Sequence, residues 1–528
     1  MGNVVSHRFH DIIDGGFSFV NIFKTRYRAP PVRGDSLVLK SATELAEMIR
    51  TRNKTCVEVM TDFINRILEV NPRLNCVVRE NGNRGLNEAL CQATLYDIVY
   101  ASKSEEWLKK NKPFLGVPFT CKEAFASQGH PNRSGMVALK DLIADTDAPV
   151  IANMKAAGCI HVGVTVVPEM CMWWETSNNN DGTTNNPYDT RRMVGGSSGG
   201  EACAVSSAAS VWGVGSDIGG SIRMPAFFNG VYGHKPSPHQ VSNVGQFPGD
   251  ERDDDILATG PICSHWEDII PMLKIMVGEE KAEKLRLDEK VNFEDLNLKV
   301  YSVESIANAS TVSPVCDELK SAQKEVENTL REKQGAVILP TSFKWFDDTF
   351  NIWSCTLAST GSPPNCERLS TGLANPFSPS TELIKKICHP IPFIDKSNHT
   401  LPAIILGLIE QSDSMSPEKK EEYVGKGKRL RQEIVELLGD NGVLLLPSGP
   451  KNGYYHHQAK THPFNCVYTM IGNVLGLPIT QVPLGLDSNG LPLGIQVIAG
   501  PNNDRLSIAV AGVLAETFGG WKPPMDVV

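Results

Sequence analysis

Hydrophobic residues recur at helical spacing directly behind two capping signals near the start of the chain. Ser41 and Thr55 are each followed three residues later by a glutamate, which is the pattern of a capping box. The second signal precedes apolar residues spaced three and four apart, which are Val57, Met60, Phe63, Ile64, Ile67 and Leu68. We therefore predict two helices here, the second of them ending at Pro72 because proline disrupts a continuing helix.

Short apolar runs then alternate with helical patterns. Residues 115–119 form an apolar run that leads to Lys122, and residues 160–167 are rich in β-branched side chains. Between them, residues 149–157 predict a helix with proline in its first turn, where the missing N–H does no harm. Strands that alternate with helices in this way predict an α/β protein with helices on the faces of a sheet.

The pattern changes between about residue 280 and residue 440. Charged helical segments such as 417–438 are mixed there with aromatic stretches such as 343–353. Strand-like apolar runs return in the last third of the chain, at residues 443–446, 479–484 and 493–499. We find no internal repeat.

Residues 1–35 differ from the rest and read as a tail. The first six residues, Met-Gly-Asn-Val-Val-Ser, fit the pattern for N-myristoylation at Gly2. Apolar residues (Phe17, Phe19, Val20, Ile22, Phe23) and then basic ones (Lys24, Arg26, Arg28, Arg33) follow. Because one acyl chain binds membranes only marginally without a second signal, we predict that this tail is a lipidated membrane anchor. No run of 18 apolar residues is present, so we predict no spanning helix.

Composition narrows the classes of function. The 528 residues carry a net charge of −9, which argues against a general nucleic-acid binder. The 13 cysteines include no CxxC pair and predict reduced thiols in the cytosol. The histidines and cysteines lack zinc-site spacing, so we expect no metal and no other cofactor.

The strongest chemical signal is a glycine-rich tract at residues 195–230. It holds 9 glycines in 36 residues, against 45 in the whole chain of 528. Glycine lets backbone N–H groups approach a ligand closely, and the interleaved apolar residues exclude a flexible linker. The tract therefore indicates a shaped backbone surface around serine hydroxyls.

Three interpretations of the tract compete. Gly195 to Gly199 matches the G-x-S-x-G nucleophile elbow, but a turn rather than a strand precedes it. A phosphate-binding loop would need glycine patterns that do not occur here. In the third interpretation Ser221 is the nucleophile, and the preceding Ile218, Gly219 and Gly220 present N–H groups to an oxyanion.

A serine nucleophile needs a base, and Lys122 is the candidate. It ends an apolar run, where burial would lower its pKa enough to leave it neutral. Two S-x-x-K matches, Ser321 with Lys324 and Ser416 with Lys419, lie in charged helical segments, and we interpret them as chance.

Several long motifs together resemble the amidase signature family. They are GVPFTCKE (116–123), GGSSGGE (195–201), GSDIGGSIRMPA (215–226) and GLPLGIQ (490–496). Further segments resemble the fatty-acid amide hydrolases within that family, namely Cys171-Met172-Trp173, residues 223–230 and 233–237, and residues 245–248. The resemblance covers nearly the whole chain after residue 40, and it implies one amidase domain over residues 36–528.

The resemblance implies a fold and a set of roles. The fold is a single large mixed β-sheet covered by helices on both faces. Ser221 would attack the amide carbonyl, and Ser197, in a cis peptide, would relay its proton to Lys122 as base. The backbone N–H groups of Ile218, Gly219, Gly220 and Ser221 would form the oxyanion hole, and Cys171 would lie in the substrate pocket. Asp217 and Arg223 would brace the loop.

The implied activity is a serine hydrolase that cleaves primary fatty amides or N-acylethanolamines. Three alternatives stay open. The protein could be an amidase of other small or xenobiotic amides, a glutaminase-like subunit of a tRNA-dependent amidotransferase, or a non-catalytic lipid-binding relative. Fatty-acid amide hydrolases of this type begin with a hydrophobic anchor, for which the myristoyl site would substitute. Residues 280–440, including 389–393 and 401–409, would shape the acyl channel and a membrane cap.

From this we expect a fatty-acid amide as substrate, peripheral membrane contact and no nucleic-acid partner. A homodimer is compatible with the resemblance. The expected location is the cytoplasm or the cytoplasmic face of intracellular membranes.

Overall fold

Ten strands form one mixed sheet in the computed structural model, which describes residues 2–80, 83–249, 251–306, 311–369, 398–411 and 414–528. Their spatial order is β2-β1-β5-β7-β6-β11-β12-β10-β8-β9, and β3 and β4 form a separate hairpin. The strands are β1 (Pro118–Lys122), β2 (Ile160–Thr165), β3 (Ser177–Asn178), β4 (Gly182–Thr183), β5 (Trp212–Asp217), β6 (Tyr232–Lys235), β7 (Ala258–Cys263), β8 (Lys299–Ser302), β9 (Val337–Pro340), β10 (Gly442–Pro447), β11 (Ile479–Leu486) and β12 (Pro492–Ala499).

The two ends of the sheet are parallel and its middle is antiparallel. Strand β1 pairs in parallel with β2 and with β5, and β8 pairs in parallel with β9 and with β10. The strands between β5 and β10 pair antiparallel. The parallel pairing of β1 and β5 brings the ends of two chemically important segments, around Lys122 and Asp217, to the same edge of the sheet.

Helices cover both faces of the sheet. They are α1 (Gly2–Ile22), α2 (Ala42–Arg50), α3 (Cys56–Leu74), α4 (Arg84–Val99), α5 (Glu105–Asn111), α6 (Pro149–Ala156), α7 (Gly199–Ser206), α8 (Arg223–Phe228), α9 (Ile269–Val277), α10 (Glu279–Lys284), α11 (Phe293–Leu296), α12 (Asp317–Gln334), α13 (Thr349–Ser359), α14 (Asn365–Leu369), α15 (Leu401–Gln411), α16 (Pro417–Leu438), α17 (Val467–Leu475) and α18 (Asp504–Phe518).

Successive residues of β10 belong to two different hydrophobic cores, one on each face of the sheet. Val443 and Leu445 belong to a large core that also receives α3 and α18, whereas Leu444 and Leu446 belong to a second core that receives α16 and α17. Successive side chains of a strand point to opposite faces, so a strand that is apolar throughout must be covered on both sides. The predicted α/β class, with one large mixed sheet covered on both faces, is confirmed.

Most of the predicted elements are present. Both capping boxes form, at Ser41 and at Thr55, and α16 spans the residues predicted for it. The prediction that Pro72 ends the second helix is wrong by two residues, because α3 continues to Leu74. Asn75 then ends the helix in a left-handed conformation with φ 53°. The predicted cap segment 389–393 lies outside the described residues.

Among the described side chains of helix α1, Asp14 contacts the body of the protein. Asp14 contacts Lys451 and Gln458, whereas Phe19 and Phe23 on the outer side are 64% and 77% exposed. The two phenylalanine rings meet edge to face with centroids 5.4 Å apart. The helix therefore presents an apolar outer face, and Ile12, Val20 and Ile22 add to its exposed apolar surface. Among the helices of the described residues, none combines the length and the apolar character needed to cross a membrane.

Candidate active site

Lys122 is the last residue of β1 and is buried at the edge of the sheet. Its Nζ donates to Ser197 Oγ at 2.6 Å and to Ser216 Oγ at 3.0 Å. Burial lowers the pKa of Lys122 below its ordinary value, since the dry surroundings disfavour the charged ammonium. The side chain is therefore placed and tuned to exchange a proton with a serine hydroxyl.

Ser197 lies in the turn before α7, and the Gly196–Ser197 peptide is cis, as predicted. The next residue, Ser198, connects the first glycine cluster of the tract to the second by hydrogen bonds. The Ser198 N–H donates to Ser221 O at 3.1 Å, and the Ser198 hydroxyl donates to Ser216 O at 3.3 Å. Thus the two serines that are 24 positions apart in the sequence, Ser197 and Ser221, are brought into one turn region.

Glu201 fastens the helix that follows this turn. Its carboxyl group accepts hydrogen bonds from Thr120 of β1 and from Thr165 of β2, where the latter distance is 2.8 Å. Burial raises the pKa of Glu201 to about 8, so the group is a neutral acid at pH 7. A side chain at Gly213 would overlap this carboxyl group, which explains the glycine in β5. The contact fixes α7, and with it Ser197, against the strand that carries Lys122.

Ser221 lies at the end of a turn built around the buried carboxylate of Asp217. Asp217 Oδ1 accepts from the Gly220 N–H at 2.7 Å, and Oδ2 accepts from the Ile222 N–H at 3.1 Å. Gly220 has φ +118°, and a side chain there would collide with Thr469. The turn therefore requires glycine at this position for both its conformation and its space.

Arg223 completes the support of the turn. Its guanidinium binds both carboxylate oxygens of Asp217, at 3.0 and 2.9 Å, and donates to Gln496 Oε1 and Asn473 Oδ1 at 2.7 Å each. Burial alone would raise the pKa of Asp217, but Arg223 and Asn473 together hold it well below its ordinary range. The geometry agrees with the expectation that Asp217 and Arg223 brace the loop.

Two contacts that the sequence did not reveal fix the peptide groups before Ser221. Trp353 of α13 donates from Nε1 to Ile218 O at 2.7 Å, and Thr469 of α17 donates from Oγ1 to Gly219 O at 2.8 Å. With both carbonyl oxygens held, the orientation of the Ile218–Gly219 backbone is defined. Neither donor stands in a motif, so only the tertiary fold identifies them.

Ser216 was also missed by sequence reasoning. It stands one residue before Asp217 in β5, and its hydroxyl is the second acceptor for Lys122. Its position inside the GSDIGGS motif could have marked it as a site residue. The pairing of β5 with β1 then brings it to Lys122.

Cys171 lies close to Lys122 in an unusual turn. Met170 and Cys171 both adopt left-handed backbone angles, with φ 55° and 57°. Burial raises the pKa of the Cys171 thiol, while the nearby Lys122 acts in the opposite direction. A thiol in this state is a neutral, weakly polar group beside the lysine.

A cavity of about 1080 Å³ opens directly above these groups. Lys122, Ser197, Ser216, Ser221 and Cys171 line its floor. Its walls are largely apolar and come from several elements; they include Met172, Trp173, Phe247, Phe350, Trp353, Leu357, Leu401, Ile405, Leu406, Phe464 and Met470. The cavity is large enough for a long apolar ligand. No group of three or more metal-ligating side chains is found within the described part of the chain.

Comparison with known proteins identifies the class. The family model for amidases matches residues 58–507, so the chain belongs to the amidase signature family and is an amidase. It is 45% identical over 497 residues to fatty-acid amide hydrolase 2 of Homo sapiens, covering 93% of this chain and 91% of that protein.

Two further relatives agree with this assignment. Fatty-acid amide hydrolase 2-A of Danio rerio is 45% identical over 504 residues, covering 94% of this chain and 92% of that protein. A solved structure of a fatty acid amide hydrolase superposes with a TM-score of 0.72 at 20% identity, covering 97% of this chain and 91% of that one. This last similarity concerns the fold.

Proposed function

We propose that the protein hydrolyses fatty-acid amides, either primary fatty amides or N-acylethanolamines, through Ser221, Ser197 and Lys122. The observation that carries the proposal is the buried Lys122, with its Nζ 2.6 Å from Ser197 Oγ, on the floor of a largely apolar cavity. The names of the relatives at 45% identity support the substrate class. A non-catalytic lipid-binding protein would have no use for a buried lysine that contacts a serine.

In the proposed reaction Ser221 Oγ attacks the amide carbonyl carbon. Its proton passes to Ser197, whose own proton passes to the neutral Nζ of Lys122. The resulting oxyanion collapses and the C–N bond breaks, while the proton returns through Ser197 to the leaving nitrogen. The amine or ammonia departs and leaves an acyl group on Ser221. A water molecule then attacks the ester, with the same groups moving its proton, and releases the fatty acid.

The oxyanion would be held by the backbone segment Ile218, Gly219 and Gly220. Since the Gly220 N–H donates to Asp217, the donors that we assign to the oxyanion are the N–H groups of Ile218, Gly219 and Ser221. Gly220 contributes the turn that aims them. Cys171 is assigned to the pocket wall beside the scissile bond, where it lies close to Lys122.

Labelling with a fluorophosphonate probe tests the nucleophile. Ser221→Ala should abolish labelling, because the probe reacts with an activated serine hydroxyl. Ser321→Ala is the matched control, since Ser321 is exposed on α12 and begins one of the S-x-x-K matches. Labelling that persists in Ser221→Ala, or that disappears in Ser321→Ala, would refute the assignment.

A substrate panel tests the activity. Oleamide, a long-chain N-acylethanolamine, a short aryl amide and glutamine should be compared by kcat/KM. We expect the two long-chain amides to be preferred, because the apolar cavity can bury their chains. Preference for the aryl amide would instead favour an amidase of small or xenobiotic amides. Preference for glutamine would favour an amidotransferase subunit.

We also propose peripheral membrane contact through the tail, residues 1–35, with N-myristoylation at Gly2. The exposed Phe19 of α1 and Phe23, which follows the helix, come just before Lys24, and an apolar face with adjacent cations suits a membrane surface with anionic lipids. The location that we propose is the cytoplasm and the cytoplasmic face of intracellular membranes.

Two variants test this contact. Gly2→Ala should move the protein from the membrane to the soluble fraction of cells. Phe19→Ser with Phe23→Ser should reduce sedimentation with phosphatidylcholine–phosphatidylserine vesicles. Leu95→Ser with Ile98→Ser is a matched control, because these α4 residues are also exposed. If both double variants lose vesicle binding equally, the proposed contact through Phe19 and Phe23 is refuted. If Gly2→Ala stays in the membrane fraction, the proposed lipid anchor at Gly2 is refuted.

The domain division stays part of the proposal. Residues 36–528 form the amidase domain, and the helical region within residues 280–440 shapes the substrate channel. This is supported by α13, α14 and α15, whose residues line the cavity. A homodimer remains a prediction, which sedimentation equilibrium of the full chain would decide.

A further inference from the structure

Helix α15 forms part of the outer wall of the cavity. Leu401, Ile405 and Leu406 on this helix line the same cavity as Ser197 and Ser221. The position of α15 therefore determines how much room a long chain finds above the floor.

A buried carboxylate from another part of the chain holds the beginning of this helix. Glu169 Oε2 accepts the N–H of Thr400 at 2.6 Å, and Oε1 pairs with His399 Nδ1 at 2.7 Å. Thr400 directly precedes α15, and its carbonyl oxygen accepts the first bond of the helix, from Ile404 N–H. A negative charge at this end also stabilises the helix dipole. Glu169 is therefore a cap for α15 that is supplied by a distant loop.

The same loop leads straight to the floor of the cavity. Glu169 is followed by Met170 and Cys171, the two residues with left-handed backbone angles beside Lys122. Met170 packs in one apolar cluster with Ala403 of α15. The cap and this cluster join the wall helix to the loop that borders the reactive groups.

The far end of α15 has its own polar contact. Asn365 of α14 donates from Nδ2 to Glu410 Oε1 at 2.7 Å. The helix is thus held by a polar contact near each end, and the Glu169 contact and the Met170 cluster connect it to the loop beside Lys122.

We propose that Glu169 is a positioning residue that determines acyl-chain specificity, by holding α15 over the cavity so that a long apolar chain is bound. This rests on the proposed hydrolysis of fatty-acid amides. Glu169 touches neither the reacting atoms nor the proposed oxyanion donors. A short amide uses only the floor and has no need of the wall, so the residue should affect the two kinds of substrate differently.

Steady-state kinetics of Glu169→Ala test the proposal. The variant removes the acceptor of the Thr400 N–H and a partner of His399, so the start of α15 loses both polar contacts with this loop. We expect KM for oleamide to rise about tenfold, as for the loss of a charged hydrogen bond. The kcat and KM for a short aryl amide should stay within about twofold. Glu169→Gln should restore most of the affinity, since its amide oxygen can still accept from Thr400 N–H.

The matched control is His239→Ala. His239 Nε2 pairs with Asp255 Oδ1 at 2.9 Å, but both side chains are exposed and lie outside the cavity lining. This variant should leave kcat and KM unchanged for both oleamide and the short aryl amide. An equal rise of KM for both substrates in Glu169→Ala, or no change for oleamide, would overturn the proposal.

A binding measurement keeps the proposal separate from the proposed activity. Binding of oleate to Ser221→Ala can be followed by tryptophan fluorescence, because Trp173 and Trp353 line the cavity. Adding Glu169→Ala should weaken oleate binding about tenfold. If the wild-type protein binds oleate but does not hydrolyse oleamide, the proposed function fails while this test of Glu169 still stands. Unchanged oleate binding in the double variant would refute the role of Glu169.

Discussion

The floor and the wall of the cavity are built in opposite ways. On the floor, the buried Lys122 donates hydrogen bonds to Ser197 and Ser216, and the turn that leads to Ser221 is supported by the buried pair of Asp217 and Arg223. The wall combines loops with helices α13 and α15, and its residues are mostly apolar; α15 has polar contacts near its two ends.

The difference follows from what each region has to do. Proton transfer needs atoms placed to within a fraction of an ångström, and a dense hydrogen-bond network provides this. Binding of an apolar chain depends on buried area, which tolerates small displacements of the surrounding helices. Changes on the floor should therefore lower kcat for every substrate, whereas changes in the wall should act on KM and depend on chain length.

The largest effect that we expect comes from Lys122→Ala. Loss of the proposed base should lower kcat/KM by about 10²–10⁴-fold for long and short amides alike. In the proposed mechanism the neutral form of Lys122 is the active one, so the wild-type rate should rise with pH as this group, with its lowered pKa, loses its proton. The variant should lack that rise. Both results are measured by pH–rate profiles.

Lys324→Ala is the control for this variant, because Lys324 lies on the surface of α12 in an S-x-x-K match. It should behave as wild type. A rise with pH that survives in Lys122→Ala would remove Lys122 from the role of base.

Asp217→Ala should have the largest effect on stability. It leaves the Arg223 guanidinium buried without its carboxylate, which costs about 3–5 kcal/mol of unfolding free energy. Since the pKa of Asp217 is lowered in the fold, the pair contributes its stability above the ordinary aspartate pKa of about 3.9. That contribution is lost as the pH falls towards the lowered value.

Denaturant unfolding at several pH values measures this effect. Asp255→Ala removes an exposed carboxylate and should change the unfolding free energy by less than about 0.5 kcal/mol. A similarly small change in Asp217→Ala would show that the turn before Ser221 does not depend on the buried pair.

Trp353→Phe should have the smallest effect. It tests whether Trp353, which lines the wall, also acts on the floor through its hydrogen bond to Ile218 O. The variant keeps most of the ring in the wall but removes the donor to Ile218 O, which is worth about 1 kcal/mol. We expect kcat to fall several-fold equally for oleamide and for a short aryl amide. Trp345→Phe, whose ring stacks under Arg429 outside the cavity lining, is the control. A change confined to KM for oleamide would instead assign Trp353 to the wall alone.

Much of the floor could be predicted because its residues stand in contiguous motifs. Lys122, Ser197, Ser221, Asp217 and Arg223 were all found from the sequence, and the structure places them at one edge of the sheet. Thr469 and Trp353 could not be found, because their roles depend on helices that pack against the turn from far along the chain. The sequence did not predict the role of Glu169 either, because its partner Thr400 is 231 positions further along the chain.

Local pattern by itself thus determined the class of fold, the capping boxes, most of the strands and the glycine-rich backbone around Ser197 and Ser221. These features depend on neighbours within a few residues, where periodicity and conformational preference act. Only the tertiary structure decided the order of the ten strands, the second acceptor of Lys122 and the attachment of α15. The last two depend on contacts between residues that are 94 positions apart, for Lys122 with Ser216, and 231 positions apart, for Glu169 with Thr400. Periodicity over a few residues does not encode which residues pair over such separations.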